Sequence, residues 1–166
     1  MPLPSTYTPI ATNTLSSATA TVTFSNIPQN YTDLVVVFDG TNVTGLASTG
    51  LRFNGDTGNN YSKTLIDGSG SAASSDRDTN ASAAYVGVNS NISGNTIINI
   101  MNYANTTTYK SILGRGNVPG SSVVGVRAGV GLWRNTAAIT SVSVINGAYN
   151  WTSGSTFTLY GIKAAS

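Results

Sequence analysis

Ala18-Thr19-Ala20-Thr21-Val22-Thr23-Phe24-Ser25 alternates without a break: Ala18, Ala20, Val22 and Phe24 fall on one side, the three threonines and Ser25 on the other. A period of two marks a β-strand with one buried face and one wet face, and Ile27-Pro28 ends it. Residues 33–41 hold the run Leu34-Val35-Val36-Val37-Phe38 between Asp33 and Asp39-Gly40, which predicts a central strand covered on both faces. In residues 123–133, Val124, Val126, Ala128, Val130 and Leu132 alternate with Val123, Gly125, Arg127, Gly129, Gly131 and Trp133. This is again a strand, and its glycines predict a bend or a close backbone approach. Further strands are predicted over 7–14, 51–53, 62–66, 83–89, 96–103, 109–115, 139–145 and 156–163.

No window shows a 3.6-residue apolar period, and glutamate is absent and lysine scarce, which removes the usual helix formers. The expected fold is therefore all-β: an antiparallel β-sandwich, jelly-roll-like, with very little helix. The expected organisation is an extended N-terminal arm over 1–10 and a single β-sandwich domain over 11–166. Residues 68–82 are polar and rich in Gly and Ser, so a long loop is expected there, either mobile or used for contacts. Gly114-Arg115-Gly116-Asn117-Val118-Pro119-Gly120 reads as a turn. It has the glycine content of a phosphate loop, but neither a Lys-Ser/Thr pair nor a helix follows.

Histidine, cysteine and glutamate are all missing. Without them there is no imidazole base, no thiol nucleophile and no zinc-thiolate site. The six aspartates, Asp33, Asp39, Asp56, Asp67, Asp76 and Asp78, are scattered. No catalytic residue, cofactor or metal ligand is assigned, and the expectation is a binding or structural protein, not an enzyme. Charged residues make up 8% of the chain, against about 25% in ordinary soluble proteins, which suits surfaces that work packed against partners. The eight basic residues are spread out, so direct nucleic-acid binding is not expected. Neither is membrane insertion, because the longest apolar run is Leu34 to Phe38.

Two oxygen-rich segments are candidate interaction sites. Asp76-Arg77-Asp78-Thr79-Asn80 starts like a calcium loop, but Ala81 stands where the sharp-turn glycine belongs and no glutamate closes the site. Asn54-Gly55-Asp56-Thr57-Gly58-Asn59-Asn60 reads as a compact turn, with ion or sugar binding through Asp56, Asn59 and Asn60 as the other reading. The extended start, Met1, Pro2, Leu3 and Pro4, is the third candidate, an arm that could lie across a neighbouring subunit.

Three segments carry a resemblance: Ser25-Asn26-Ile27-Pro28-Gln29-Asn30-Tyr31-Thr32-Asp33-Leu34, Arg52-Phe53-Asn54-Gly55-Asp56-Thr57-Gly58-Asn59-Asn60-Tyr61-Ser62, and Gly154-Ser155-Thr156-Phe157-Thr158-Leu159-Tyr160-Gly161-Ile162-Lys163. They resemble the recurring blocks of small virion proteins of tailed bacteriophages, notably those of cyanobacterial and marine hosts. The resemblance implies a β-sandwich or jelly-roll module on the particle, either a capsid decoration (cement) protein or a tail or fibre part. It brings no catalytic residue. The leading expectation is a homotrimer made in the host cytoplasm, located on the capsid surface of the virion and bound to the major capsid protein. The alternative is a tail, fibre or baseplate module that binds host surface glycans through aromatic and Asn/Asp side chains.

Overall fold

The computed structural model describes residues 6–119 and 125–163. Twelve strands run through them: β1 (Tyr7–Thr14), β2 (Thr21–Phe24), β3 (Asp33–Gly40), β4 (Ala47–Phe53), β5 (Tyr61–Gly68), β6 (Ala73–Ala81), β7 (Ala84–Asn89), β8 (Gly94–Ile100), β9 (Lys110–Asn117), β10 (Val126–Trp133), β11 (Val142–Asn146) and β12 (Thr156–Ile162). The described residues contain no helix. Eight strands form one antiparallel sheet in the order β1-β12-β3-β8-β9-β10-β5-β6, and four form a second in the order β2-β11-β4-β7. The nested pairs β1/β12, β2/β11, β4/β7 and β5/β6 wrap the chain as in a jelly roll. The expected all-β sandwich is the observed one.

The alternation of the opening segment sets β2 as predicted. Val22 and Phe24 are buried while Thr21 and Thr23 are exposed, with the Thr23 and Ser143 hydroxyls 2.9 Å apart across to β11. Strand β3 lies between β12 and β8, and its inward residues Leu34, Val36 and Phe38 are buried. On its other side Val35 is buried, Val37 half-buried and Asp39 exposed, and among the described residues no second sheet covers that face, which corrects the cover on both faces expected from the apolar run. Two aromatic clusters fill the interior, Phe38 with Trp151 and Phe157, and Phe53 with Tyr61 and Trp133, at centroid separations of 5.1 to 6.3 Å. Such contacts add to plain burial. Phe157 and Leu159 point inward as the C-terminal alternation implies, and Gly161 lies under the ring of Tyr31.

Two further expectations are corrected. Residues 73–81 are not loop but the strand β6, hydrogen-bonded to β5. Every residue from Ala73 to Asn80 is exposed on both sides. The strand overhangs the smaller sheet and so needs no apolar alternation, which is the signal a sequence reading depends on. Likewise Gly114 to Asn117 do not turn, because β9 runs through them. Glycine is required there by proximity: a Cβ on Gly114 would lie 2.6 Å from the Val86 carbonyl oxygen, and one on Gly116 would overlap Thr96 Oγ1.

Strand β1 takes in residues 7–10 of the segment expected as an arm, and Met1, Pro2, Leu3 and Pro4 lie outside the described residues. The two edges of the large sheet carry their own protection. β1 has Pro9 and a bulge beside it, and β6 has Asp76, Arg77, Asp78 and a bulge opposite. Proline, charge and bulges all oppose edge-to-edge pairing.

Phe157→Ala should lower stability by about 3 to 5 kcal/mol, as for other fully buried aromatics. Gly114→Ala should lower it by about 1 to 3 kcal/mol, although alanine suits strands better than glycine, because the added methyl meets backbone. Denaturant unfolding of the two variants checks both values.

Candidate interaction surface

Strand β10 turns its glycines inward and its valines outward. Arg127, Gly129, Gly131 and Trp133 point into the sandwich, while Val126, Ala128 and Val130 are exposed. The cause is β7, which crosses the inner side of β9 and β10 so closely that a Cβ on Gly129 would come within 3.0 Å of the Val86 carbonyl oxygen. Glycine must face inward, so the valines face out. Of the two readings that the alternation allows for these glycines, a bend or a close approach, the structure shows close approach.

Neighbouring strands extend this apolar outer face. Leu113 on β9 stands opposite Val130, and Ile66 on β5 stands opposite Ala128. From β8, Ile97 joins across Arg115. Exposure reaches 62% at Ile66, 59% at Val126, 53% at Val130 and 38% at Leu113. Scattered surface apolar residues need no explanation, whereas a contiguous patch does.

Two arginines flank the patch. Arg115 sits between Ile97 and Ala128, and Arg77 lies beside Thr64 at the β6 edge. The ion pairs among the described residues are Lys63–Asp76 and Arg127–Asp67, so neither flanking arginine is neutralised by one of them. A hollow of about 270 Å³ opens beside Arg77, Val130 and Leu132. Another of about 360 Å³ opens beside Arg115, Ile97 and Val126.

Arg127 behaves differently from these two. Its guanidinium reaches inward, donating to both Asp67 carboxylate oxygens at 2.7 and 2.8 Å, to Ser48 Oγ at 2.9 Å and to the Gly87 carbonyl at 3.1 Å. This polar brace ties the large sheet to β4 and β7. A second brace is the buried Asn42, Asn89 and Asn146 cluster, in which Asn89 Oδ1 accepts from both other amides. Lys110 is also buried, its Nζ donating to the Thr108 and Thr136 carbonyls, and burial lowers its pKa.

The predicted site residues separate into structural parts. Asp56 organises the turn between β4 and β5. One carboxylate oxygen accepts the Gly58 amide, the other accepts Trp133 Nε1 at 2.7 Å, and the Asn60 amide donates to both. Burial pulls its pKa upward, but the hydrogen bonds from Trp133, Asn60 and Gly58 prevail and hold it below the usual value. The Asp56 carbonyl accepts from Tyr61, whose burial pushes its pKa up to about 12. The Asn59 carbonyl accepts from Arg134. Asp76 and Asp78 share the Lys63 side of β6, Asp76 paired with Lys63 and Asp78 accepting its own Asn80 amide.

Among the described residues no three ligating side chains gather at a cation site. Nor do the exposed aromatics form one stacking platform. Tyr7 and Tyr109 are the strongly exposed rings, and four strand spacings of about 4.8 Å each separate β1 from β9. The outer apolar face and its arginines were missed in the sequence. The signal that could have found them is the glycine on alternate positions of β9 and β10, which marks the side where another sheet must pass.

No family model and no curated protein matches the chain. Among solved structures it is similar to exo-inulinase from Aspergillus awamori, with 10% identity and a TM-score of 0.37, over 95% of this chain and 30% of that one. It is also similar to a protein of unknown function from Shewanella oneidensis MR-1, with 11% identity and a TM-score of 0.27, over 96% of this chain and 77% of that one. The chain thus spans well under two thirds of the inulinase, and at these scores neither likeness bears on function.

Because the Asp56 pKa is lowered in the fold, its stabilising effect is present above the unfolded value of 3.8 and is lost as pH falls through the lower folded value. Asp56→Asn should therefore reduce stability at neutral pH and shrink the loss of melting temperature between about pH 4 and about pH 2. Thermal melts across that range check it.

Proposed function

We propose that the protein is a bacteriophage virion component, a capsid decoration (cement) protein that attaches as a homotrimer where major capsid subunits meet and strengthens the head by added interface, not by chemistry. The observation that supports attachment is the solvent-facing apolar patch on β9, β10 and β5 of the eight-stranded sheet, built from Ile66, Leu113, Val126 and Val130. The virion part of the reading rests on the three resembling blocks. A rigid sandwich with interlocked polar braces and self-protected edges also suits a particle that must last outside the cell without repair.

The test is a phage lacking this protein. Its particles should lose DNA at lower temperature or under milder osmotic shock than complete particles, and purified protein added back should restore retention. Particles that hold their DNA normally but fail to adsorb to the host would replace this reading with the glycan-binding tail module.

A further inference from the structure

We propose that the outer face of the eight-stranded sheet docks a partner protein surface whose apolar patch is bordered by carboxylates. This names the surface and the partner chemistry of the attachment reading above, and rests on it. Ile66, Leu113, Val126 and Val130 together leave on the order of 400 Å² of apolar area, within the range of the largest patch on a typical monomer, which is often functional. Close approach of β7 requires glycine at inward positions 114, 129 and 131, which leaves the branched neighbours Leu113 and Val130 on the outer face. An outward threonine or serine would have served folding equally well, as it does on β2.

Charge selects the occupant. Each hollow joins one arginine outside the ion pairs to apolar walls, Arg77 with Val130 and Leu132, and Arg115 with Ile97 and Val126, while Arg127 at the second hollow is held by Asp67. A side chain with a short apolar stem and a carboxylate end fits both halves of such a hollow, and a guanidinium binds a carboxylate through two parallel hydrogen bonds. Among the described residues no carboxylate of the face forms an ion pair with either arginine. Asp39 lies on β3, two strands from Arg115, and accepts the Ser93 hydroxyl. Asp78 at the rim of the first hollow accepts its own Asn80 amide, and Asp76 is paired with Lys63 on the other side of the strand. A second copy seated on this face with its two-fold axis near Arg115 would set Arg115 against Arg115 and bury like charges without counter-ions, which is strongly unfavourable. The partner is therefore a different protein, acidic where this face is basic.

The experiment compares wild type with Ile66→Asp, with the double variant Arg77→Glu/Arg115→Glu, and with Arg115→Lys. All are surface changes, and unchanged melting temperatures verify folding. The probes are heads and tails separated from phage particles that lack this protein, each immobilised. Wild type should bind heads. Ile66→Asp and the double variant should weaken binding by about tenfold or more, and Arg115→Lys, which keeps the charge but loses one of the two parallel hydrogen bonds, by less. Sedimentation of the unbound protein should give the same oligomeric state for all variants.

If wild type binds and the aspartate and glutamate variants bind equally well, the docking face is wrong while the attachment reading stands. If wild type binds neither heads nor tails, the attachment reading falls and this proposal with it. If Ile66→Asp instead dissociates an oligomer of the purified protein, a second copy is the occupant and the proposal is overturned.

Discussion

The backbone of one residue, Val86 on β7, sets the geometry of the sandwich. A Cβ on Gly114 or Gly129 would meet its carbonyl oxygen at 2.6 or 3.0 Å, and one on Gly131 would meet its side chain at 3.1 Å. Face-to-face sheets usually stand about 10 Å apart, with side chains between them. Here glycine lets the strand of one sheet lie almost on the other. Three properties depend on that approach: the inward side of β9 and β10 is bare at Gly114, Gly129 and Gly131, the valines and leucine between them are left to solvent, and Arg127 can span the gap to Ser48 and Gly87.

Without cysteine, cohesion between the layers comes from aromatic clusters on either side of this contact and from polar braces. The two kinds of contact fail differently. An aromatic truncation leaves a void whose cost depends on how far the surroundings collapse. Removing one partner of the Arg127–Asp67 pair leaves a buried charge without its counterpart, which is worse than never having had the pair. The asparagine cluster fixes the ends of β4, β7 and β11 in the same way, because each amide must find both donors and acceptors away from water.

Much of the fold was legible because alternation and burial coincide along β2 and β12, where one face meets the core. The overhanging β6 was not legible, since a strand exposed on both sides has no apolar period and its residues read as loop. Gly114 to Asn117 were misread for a related reason: glycine signals a turn when considered locally, and its real cause is a strand from elsewhere in the chain. The Asp56 turn was read correctly as compact, although its link to Trp133, 77 positions away, has no local trace. The blocks that carry the virion resemblance contain Asn26, Asn54 and Gly154, all at positive φ. The residues at these three positions thus have a conformational reason of their own.

The nested pairing also dictates the order in which the chain can assemble. Local hairpins such as β5/β6 and β9/β10 can form as soon as they are synthesised. The first two strands cannot, because Thr23 of β2 meets Ser143 across 120 positions and Thr14 of β1 meets Thr156 across 142. Closing such separations is entropically costly and slow. During translation, β1 and β2 must therefore wait as unpaired segments until β11 and β12 leave the ribosome. Nascent copies on one polysome expose the same unpaired strands side by side, and Pro9, at the edge of that waiting segment, works against their pairing with each other before the native partner arrives.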